Sequence, residues 1–305
     1  MSKARFIVNA LTLIVLTLGI SSLANAQATR TWVSGVGDDA NPCSRTAPCK
    51  TFAGAISKTA TDGEIDCIDP GGFGAVTITK SITIDGNGTF ASILAAGTTG
   101  VIINITSGTD VRKAVRLRNL SINGAATGLN GVRLIAAKAL YMESCQVYGF
   151  FGTGGNGLSI ELGAGTANVS VKDSIFENNG NDGIKQTTTG TLNAYYDNVV
   201  LAGNVRGLEN LGGTANISRS VVDNNSTDGL AASGGAVIDA STNQITSNGN
   251  GTNCTAPSTI RLSDNNIYRN LVNGIAGGGT YLTFGNNHVS NNAGNEALPA
   301  ATLPK

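Results

Sequence analysis

Three charged residues stand at nearly even intervals in the second half of the chain: Asp173, Asp197 and Arg219, 24 and 22 residues apart, with Lys172 beside the first. If the chain is wound with that period, these side chains become neighbours about 5 Å apart. Such a set suits one chemistry. Asp173 and Asp197 could hold a calcium ion against the carboxylate of a uronic acid, while Arg219 or Lys172 removes the adjacent proton in a β-elimination. The same residues also read as an exposed charge ladder, with Asp197 paired to Arg219 for at most about 1 kcal/mol. Asp239 and Arg261, again one period apart, read as a second ordinary pair.

Aromatic residues offer a binding signal instead of a catalytic one. Tyr148, Phe150 and Phe151 crowd a Gly-rich segment, YGFFGTGGNG, that is longer than its counterparts later in the chain. Exposed there, their rings would stack on sugar faces; turned inward, Phe150 or Phe151 would close a local core. Tyr195 falls in an inward column of the pattern below, so adjacent Tyr196 is expected to face solvent and join the ligand-binding set. The single histidine, His288, lies in NNHVSNN and reads as a surface residue.

What must position these residues is a repeat. SIFENNGNDGI at Ser174–Ile184 returns 46 residues later as SVVDNNSTDGL at Ser220–Leu230. The phrase is Ser or Asn, any residue, an apolar one, two more, then Asn. It begins at Ser174, Ser220, Asn243, Asn265 and Asn287 and ends at Asn179, Asn225, Asn248, Asn270 and Asn292. A looser copy starts at Asn198, with Gly203 in the final place and Asn204 beside it. Gly followed by an aliphatic residue recurs at Gly131, Gly157, Gly183, Gly207, Gly229 and Gly274, with Gly251 lying one period from each of the last two.

Upstream of each phrase the polarity alternates with period two, the pattern of strands. Aligning on the Ser/Asn column puts Val171, Tyr195, Ile217, Ala240, Leu262 and Phe284 at one inward position. A unit of about 23 residues with short strands cannot bury its inner face alone, so neighbouring units must stack as coils of a solenoid. The stacked Asn residues are expected to sit at a left-handed bend and to hydrogen-bond one another, each bond contributing about 1 kcal/mol. Residues 63–292 then make about ten coils. TFAGAISKTA places Phe52, Ala55 and Ile56 at helical spacing and is expected to cap the amino-terminal end, within a strand, loop and helix region at 27–62. Residues 293–305 form a tail.

Residues 1–26 have the layout of a cleaved export signal: Lys3 and Arg5, an apolar run, then a small-residue site ending at Ala26. The expected location is therefore secreted or periplasmic, with no membrane span after cleavage. Removing the signal leaves 18 basic and 20 acidic residues, a balance that argues against nucleic acid as partner. Of the five cysteines, Cys43 and Cys49 are spaced to close a small disulfide loop. Cys67, Cys145 and Cys254 match no metal-site spacing, and at least one is expected to be a buried thiol.

The stretch GVGDDANPCSRTAPCKTFAGAI and the following GEIDCIDPGGFGAVTITKSITIDG resemble the opening of exported proteins of the pectate-lyase-like superfamily. The residues that carry the likeness are Asp39, Asn41, Pro42, Pro48, Lys50, Thr51, Gly63, Pro70, Gly71 and Phe73. The resemblance implies an all-β fold, a single-stranded right-handed parallel β-helix with a short capping helix, and spans the mature chain. It implies little about function, because this scaffold serves lyases, hydrolases and surface proteins alike. The polygalacturonase-like motifs Asn-Thr-Asp, Gly-His-Gly and Arg-Ile-Lys are absent. Two expectations follow. One is an exported module that binds polysaccharide along a lateral face, or serves the cell envelope structurally, with no cofactor. The other is a divergent calcium-dependent uronate lyase.

Overall fold

The structure, a computed structural model, describes residues 27–300. The expected export signal and the last five residues of the tail lie outside them. The chain winds as a right-handed parallel β-helix of nine complete three-strand coils and a tenth of two strands. One helix, Phe52–Lys58, covers the amino-terminal end. Successive coils pair strand on strand in three parallel sheets of 11, 10 and 9 strands. The first sheet runs from Ala28–Val33 to Thr280–Thr283, the second from Gly71–Gly72 to His288–Ser290 and the third from Val76–Ile78 to Asn273–Ala276. The first coil opens with the strand Thr59–Cys67, so the β-helix begins before the expected Gly63.

Alternation explains why these segments are strands. Val169 and Val171 point inward while Ser170 and Lys172 point out, and Ile217, Leu262 and their counterparts fill one continuous core. Full burial of each such side chain contributes roughly 1.5–3 kcal/mol. The capping helix buries Phe52 and Ala55, and Phe52 packs on Phe73 with ring centroids 5.2 Å apart. Thr51 caps the helix by accepting from the Gly54 N–H at 2.9 Å. Asp39 in turn accepts from the backbone N–H groups of Lys50 and Thr51. Cys43 and Cys49 are joined as a disulfide, and Cys67, Cys145 and Cys254 are all buried thiols. At the other end Asn295 hydrogen-bonds the last third-sheet strand, and Leu298 packs against the core.

The Asn column is a buried ladder, and it contains Asn204. The Oδ1 of Asn204 accepts from both the backbone N–H and the Nδ2 of Asn179, each at 3.1 Å. The same double contact links Asn204 to Asn225, Asn225 to Asn248, Asn248 to Asn270 and Asn270 to Asn292. Each Nδ2 also donates to a backbone carbonyl of the preceding coil, Asn248 to Val222 at 3.0 Å for example. A second, shorter ladder joins Asn243, Asn265 and Asn287.

One expectation about the bends needs correction. Left-handed geometry falls one residue before the ladder, at Asn178, Asn224, Ser247, Arg269 and Asn291, so the ladder residues serve the hydrogen bonds and their neighbours serve the turn. The glycine column exists because backbones approach closely: a Cβ on Gly207 would meet the Gly229 carbonyl oxygen at 2.6 Å, and one on Gly229 the Gly251 oxygen at the same distance.

The looser copy is out of step with the expectation by one residue. Ser170 pairs with Tyr195 and Val171 with Tyr196, and the next coil restores the phase by pairing Tyr196 with Ile217. The phrase in that coil thus begins at buried Val199, and Asn198 takes a left-handed turn position. Tyr196 is 1 % exposed and Tyr195 53 %, the reverse of the expected orientation. The last coil slips likewise: Leu262 pairs with Thr283, and Phe284 is exposed.

Removing one rung should expose the ladder's contribution. Asn248→Ala deletes the acceptor of two Asn225 N–H groups and two donated bonds. We expect a loss of about 3 kcal/mol in urea denaturation, against at most about 0.5 kcal/mol for exposed Gln244→Ala.

Candidate functional site

The parallel register places outward residues of the first sheet in long columns. One column runs Arg116, Tyr141, Ser170, Tyr195, Asn216, Asp239, Arg261. The next, two residues along, runs Arg118, Glu143, Lys172, Asp197, Ser218, Ser241, Ser263. Over the later coils the two columns form an open groove of about 450 Å³, parallel to the solenoid axis. Its floor carries Asn216, Ser218, Ser241 and Ser263. Tyr195 stands at one end and Phe284, 50 % exposed, at the other. The four coil steps between Tyr195 and Leu282, the residue that pairs with Arg261, span about 19 Å.

Electrostatically this face is balanced. Arg261 donates to Asp239 at 2.9 Å, and Arg219 donates to Asp197, which also accepts from the Ser218 hydroxyl at 3.0 Å. Further along, the Arg116 guanidinium lies 4.6 Å over the Tyr141 ring.

The expected calcium and base set is not assembled. Because the coil is shifted, Asn198 and not Asp197 stands between Asp173 and Arg219. Asn198 donates to Asp173 at 2.6 Å, and Asp197 belongs to the outward strand column with Lys172. The two acids therefore do not stack as a calcium pair, and Arg219 is engaged by Asp197. Lys172 is exposed beside them. Among the described residues no group of three or more His, Cys, Asp or Glu converges as a metal site.

The expected aromatic cluster is also divided. Phe150 is fully buried and stands at the head of the Asn ladder, its backbone N–H donating to Asn179 at 3.3 Å. Phe151 is exposed and Tyr148 half-buried on the second sheet. Tyr196 leaves the ligand-binding set altogether: its hydroxyl donates to Gln186 inside the core at 2.6 Å, and burial pushes its pKa up. His288 is exposed, as expected.

A cluster on the third sheet went unread in the sequence. Asp182, Arg206 and Asp228 occupy the column just before the glycines, on successive coils. Arg206 reaches Asp182 at 2.7 Å and Glu209 at 2.9 Å, and Lys185 reaches Glu209 at 2.7 Å. Nearby, Arg133 holds Glu161 and thereby lowers its pKa. The available signal was opposite charge at the period of the repeat, at a position adjoining Gly183, Gly207 and Gly229. These ions satisfy one another and no aromatic ring lines the adjoining groove, so they staple coils together, whereas the first sheet presents open polar groups beside exposed rings.

Burial pushes the fully buried Asp182 carboxyl up to about 6, with the Arg206 hydrogen bond opposing the shift. The folded state therefore binds this proton more tightly than the unfolded chain does. Its contribution to stability is greatest below the ordinary carboxylate value of about 4 and declines as pH rises toward 6. In denaturation at a series of pH values, the difference between the native protein and Asp182→Asn should show this decline.

No protein-family model matches the chain, and no curated protein matches it. Among solved structures, pectate lyase Pel9A superposes with a TM-score of 0.52 at 14 % identity, over 89 % of this chain and 81 % of that one. The A-module of the Azotobacter vinelandii mannuronan C-5 epimerase AlgE4 superposes with a TM-score of 0.48 at 15 % identity, over 68 % and 69 % of the two chains. At these identities the likeness concerns fold and not activity. The chain shares with pectate lyase Pel9A the right-handed parallel β-helix.

Proposed function

We propose that this chain is an exported β-helix module that binds an extended polysaccharide along the outer face of its first sheet and does not cleave it. One observation carries the reading: Tyr195 and Phe284, both about half exposed, bracket a groove floored by hydroxyl and amide groups and running with the axis. Sugar rings offer apolar faces to aromatic side chains and hydroxyls to polar ones, and a polymer laid along the axis meets equivalent positions once per coil. Export rests on the sequence pattern of residues 1–26.

The calcium-dependent lyase has less support. Asp173 and Asp197 occupy different columns, and the Arg219 guanidinium that would act as base is tied to a carboxylate.

Affinity electrophoresis through gels containing a panel of soluble polysaccharides tests the proposal. At least one polymer should retard the protein, and Tyr195→Ala should weaken that retardation roughly fivefold, about 1 kcal/mol. No unsaturated sugar should appear on incubation with uronate polymers and calcium. Retardation that is unchanged in both Tyr195→Ala and Phe284→Ala would remove the groove from consideration.

A further inference from the structure

The groove's own chemistry narrows what it can take. We infer that it selects an uncharged polysaccharide, read through hydroxyl groups, an assignment that rests on the binding function proposed above.

The charges come first. Asp239 and Arg261 are the only ionic side chains lining the groove, and they are bonded to each other at 2.9 Å. Just beyond the rim, Arg219 is held by Asp197. A polymer of uronic acids would bring one carboxylate per ring into a place whose one cation is already neutralised by Asp239. Each ring would lie beside Asp239, or would have to separate Arg261 from it. Repulsion between like charges at such a partly desolvated surface opposes binding.

The unmet hydrogen-bonding capacity points the same way. Asn216 donates one amide N–H to the Ala194 carbonyl at 3.3 Å, and its side-chain oxygen has no donor among the described residues. Asp239 bonds Arg261 through one oxygen and has a second to offer. Ser241, midway along the floor, has no side-chain partner among the described residues, unlike Ser218, which donates to Asp197, and Ser263, which receives from Asn286. Arg261 spends one guanidinium nitrogen on Asp239, so the groove presents two acceptors, one hydroxyl and the remaining guanidinium N–H groups within an electrically neutral pair. A carboxylate can only accept, so it matches the donors but neither acceptor; a sugar hydroxyl donates and accepts, and matches every one of these groups. The acceptors and the hydroxyl also lie close together, because Asn216 pairs with Asp239 and Ser241 follows two residues later on the same strand.

Binding to an uncharged polymer should be insensitive to ionic strength, whereas a polyanion held by cations would be released by salt. The test uses the full mature protein in isothermal titration with mixed-linkage β-glucan and galactomannan as uncharged probes, and polygalacturonate and alginate as charged ones, at low and high salt. We expect at least one uncharged polymer to bind with an affinity that changes by less than about twofold with salt. Both uronate polymers should bind at least about tenfold more weakly. Asn216→Ala and Ser241→Ala should each reduce the uncharged interaction several-fold, up to about tenfold, with the denaturation midpoint kept. Ser241→Ala removes only a hydroxyl without a protein partner, so its effect does not depend on folding. Tighter binding of a uronate polymer that salt abolishes would overturn this inference while leaving polysaccharide binding intact. Binding of the uncharged polymer that ignores both substitutions would overturn it too. Failure of every polymer to bind would instead bring down the underlying reading.

Discussion

The interaction on which this molecule depends is the amide of a buried asparagine bridging two coils. Each ladder oxygen accepts two N–H groups from one neighbouring coil, and each Nδ2 donates toward both. Leaving any of these groups unpaired in a dry core costs more than a typical bond contributes, so neighbouring coils can meet in one register only. The ladder needs ends as well as rungs. Phe150 occupies the Asn position in the preceding coil and donates its backbone N–H to Asn179. At the other end the Glu296 carboxylate accepts from the Nδ2 of Asn292 at 3.1 Å, so the segment after the last strand finishes the network.

Locked register is what turns sequence columns into surfaces. Period-two alternation sends half of every strand outward, and stacking makes each outward position a row about 4.8 Å in step. On the third sheet that rule aligns Asp182, Arg206 and Asp228: Arg206 pairs with the buried Asp182, and Asp228 accepts from the Asn250 and Asn253 amides. On the first sheet it aligns Tyr195, Asn216, Asp239 and Arg261 beside a row of serines. The ions there pair off while hydroxyl and amide groups stay open, a surface suited to a long hydroxyl-rich ligand and poorly suited to calcium-assisted elimination.

The solenoid, its capping helix, the Cys43–Cys49 bridge and most of the ladder were legible because they repeat or follow local rules. Thr51 before Phe52 reads as a helix cap on sight. The errors concentrate in one coil and have one cause. The coil step is 25 residues from Val171 to Tyr196 (196 − 171) and 21 from Tyr196 to Ile217 (217 − 196), and Val199 fills a place that holds Ser or Asn in the other coils from Ser174 onward. An apolar residue is acceptable there because Val199 donates its backbone N–H to Ser220 and buries its side chain, but it hides the phase from a pattern search. Asn198 then looked like the start of the phrase, which moved Asp197 into line with Asp173, turned Tyr195 inward and left Asn204 beside the ladder. Phe150 was ambiguous for a different reason. A ladder's first position has no coil before it in need of an amide, so a large apolar side chain can close the core there.

Whether Tyr195 or Tyr196 faces water decides the register, and with it the groove, the ladder and the fate of the proposed calcium pair. Nitration of the native protein under mild conditions, mapped residue by residue by tandem mass spectrometry, reads this directly without altering the chain. The structure predicts modification at Tyr195 with Tyr196 spared until the protein is denatured. Modification of Tyr196 with Tyr195 protected would contradict it, returning Asn198 to the buried column and Asp197 to the line of Asp173 and Arg219.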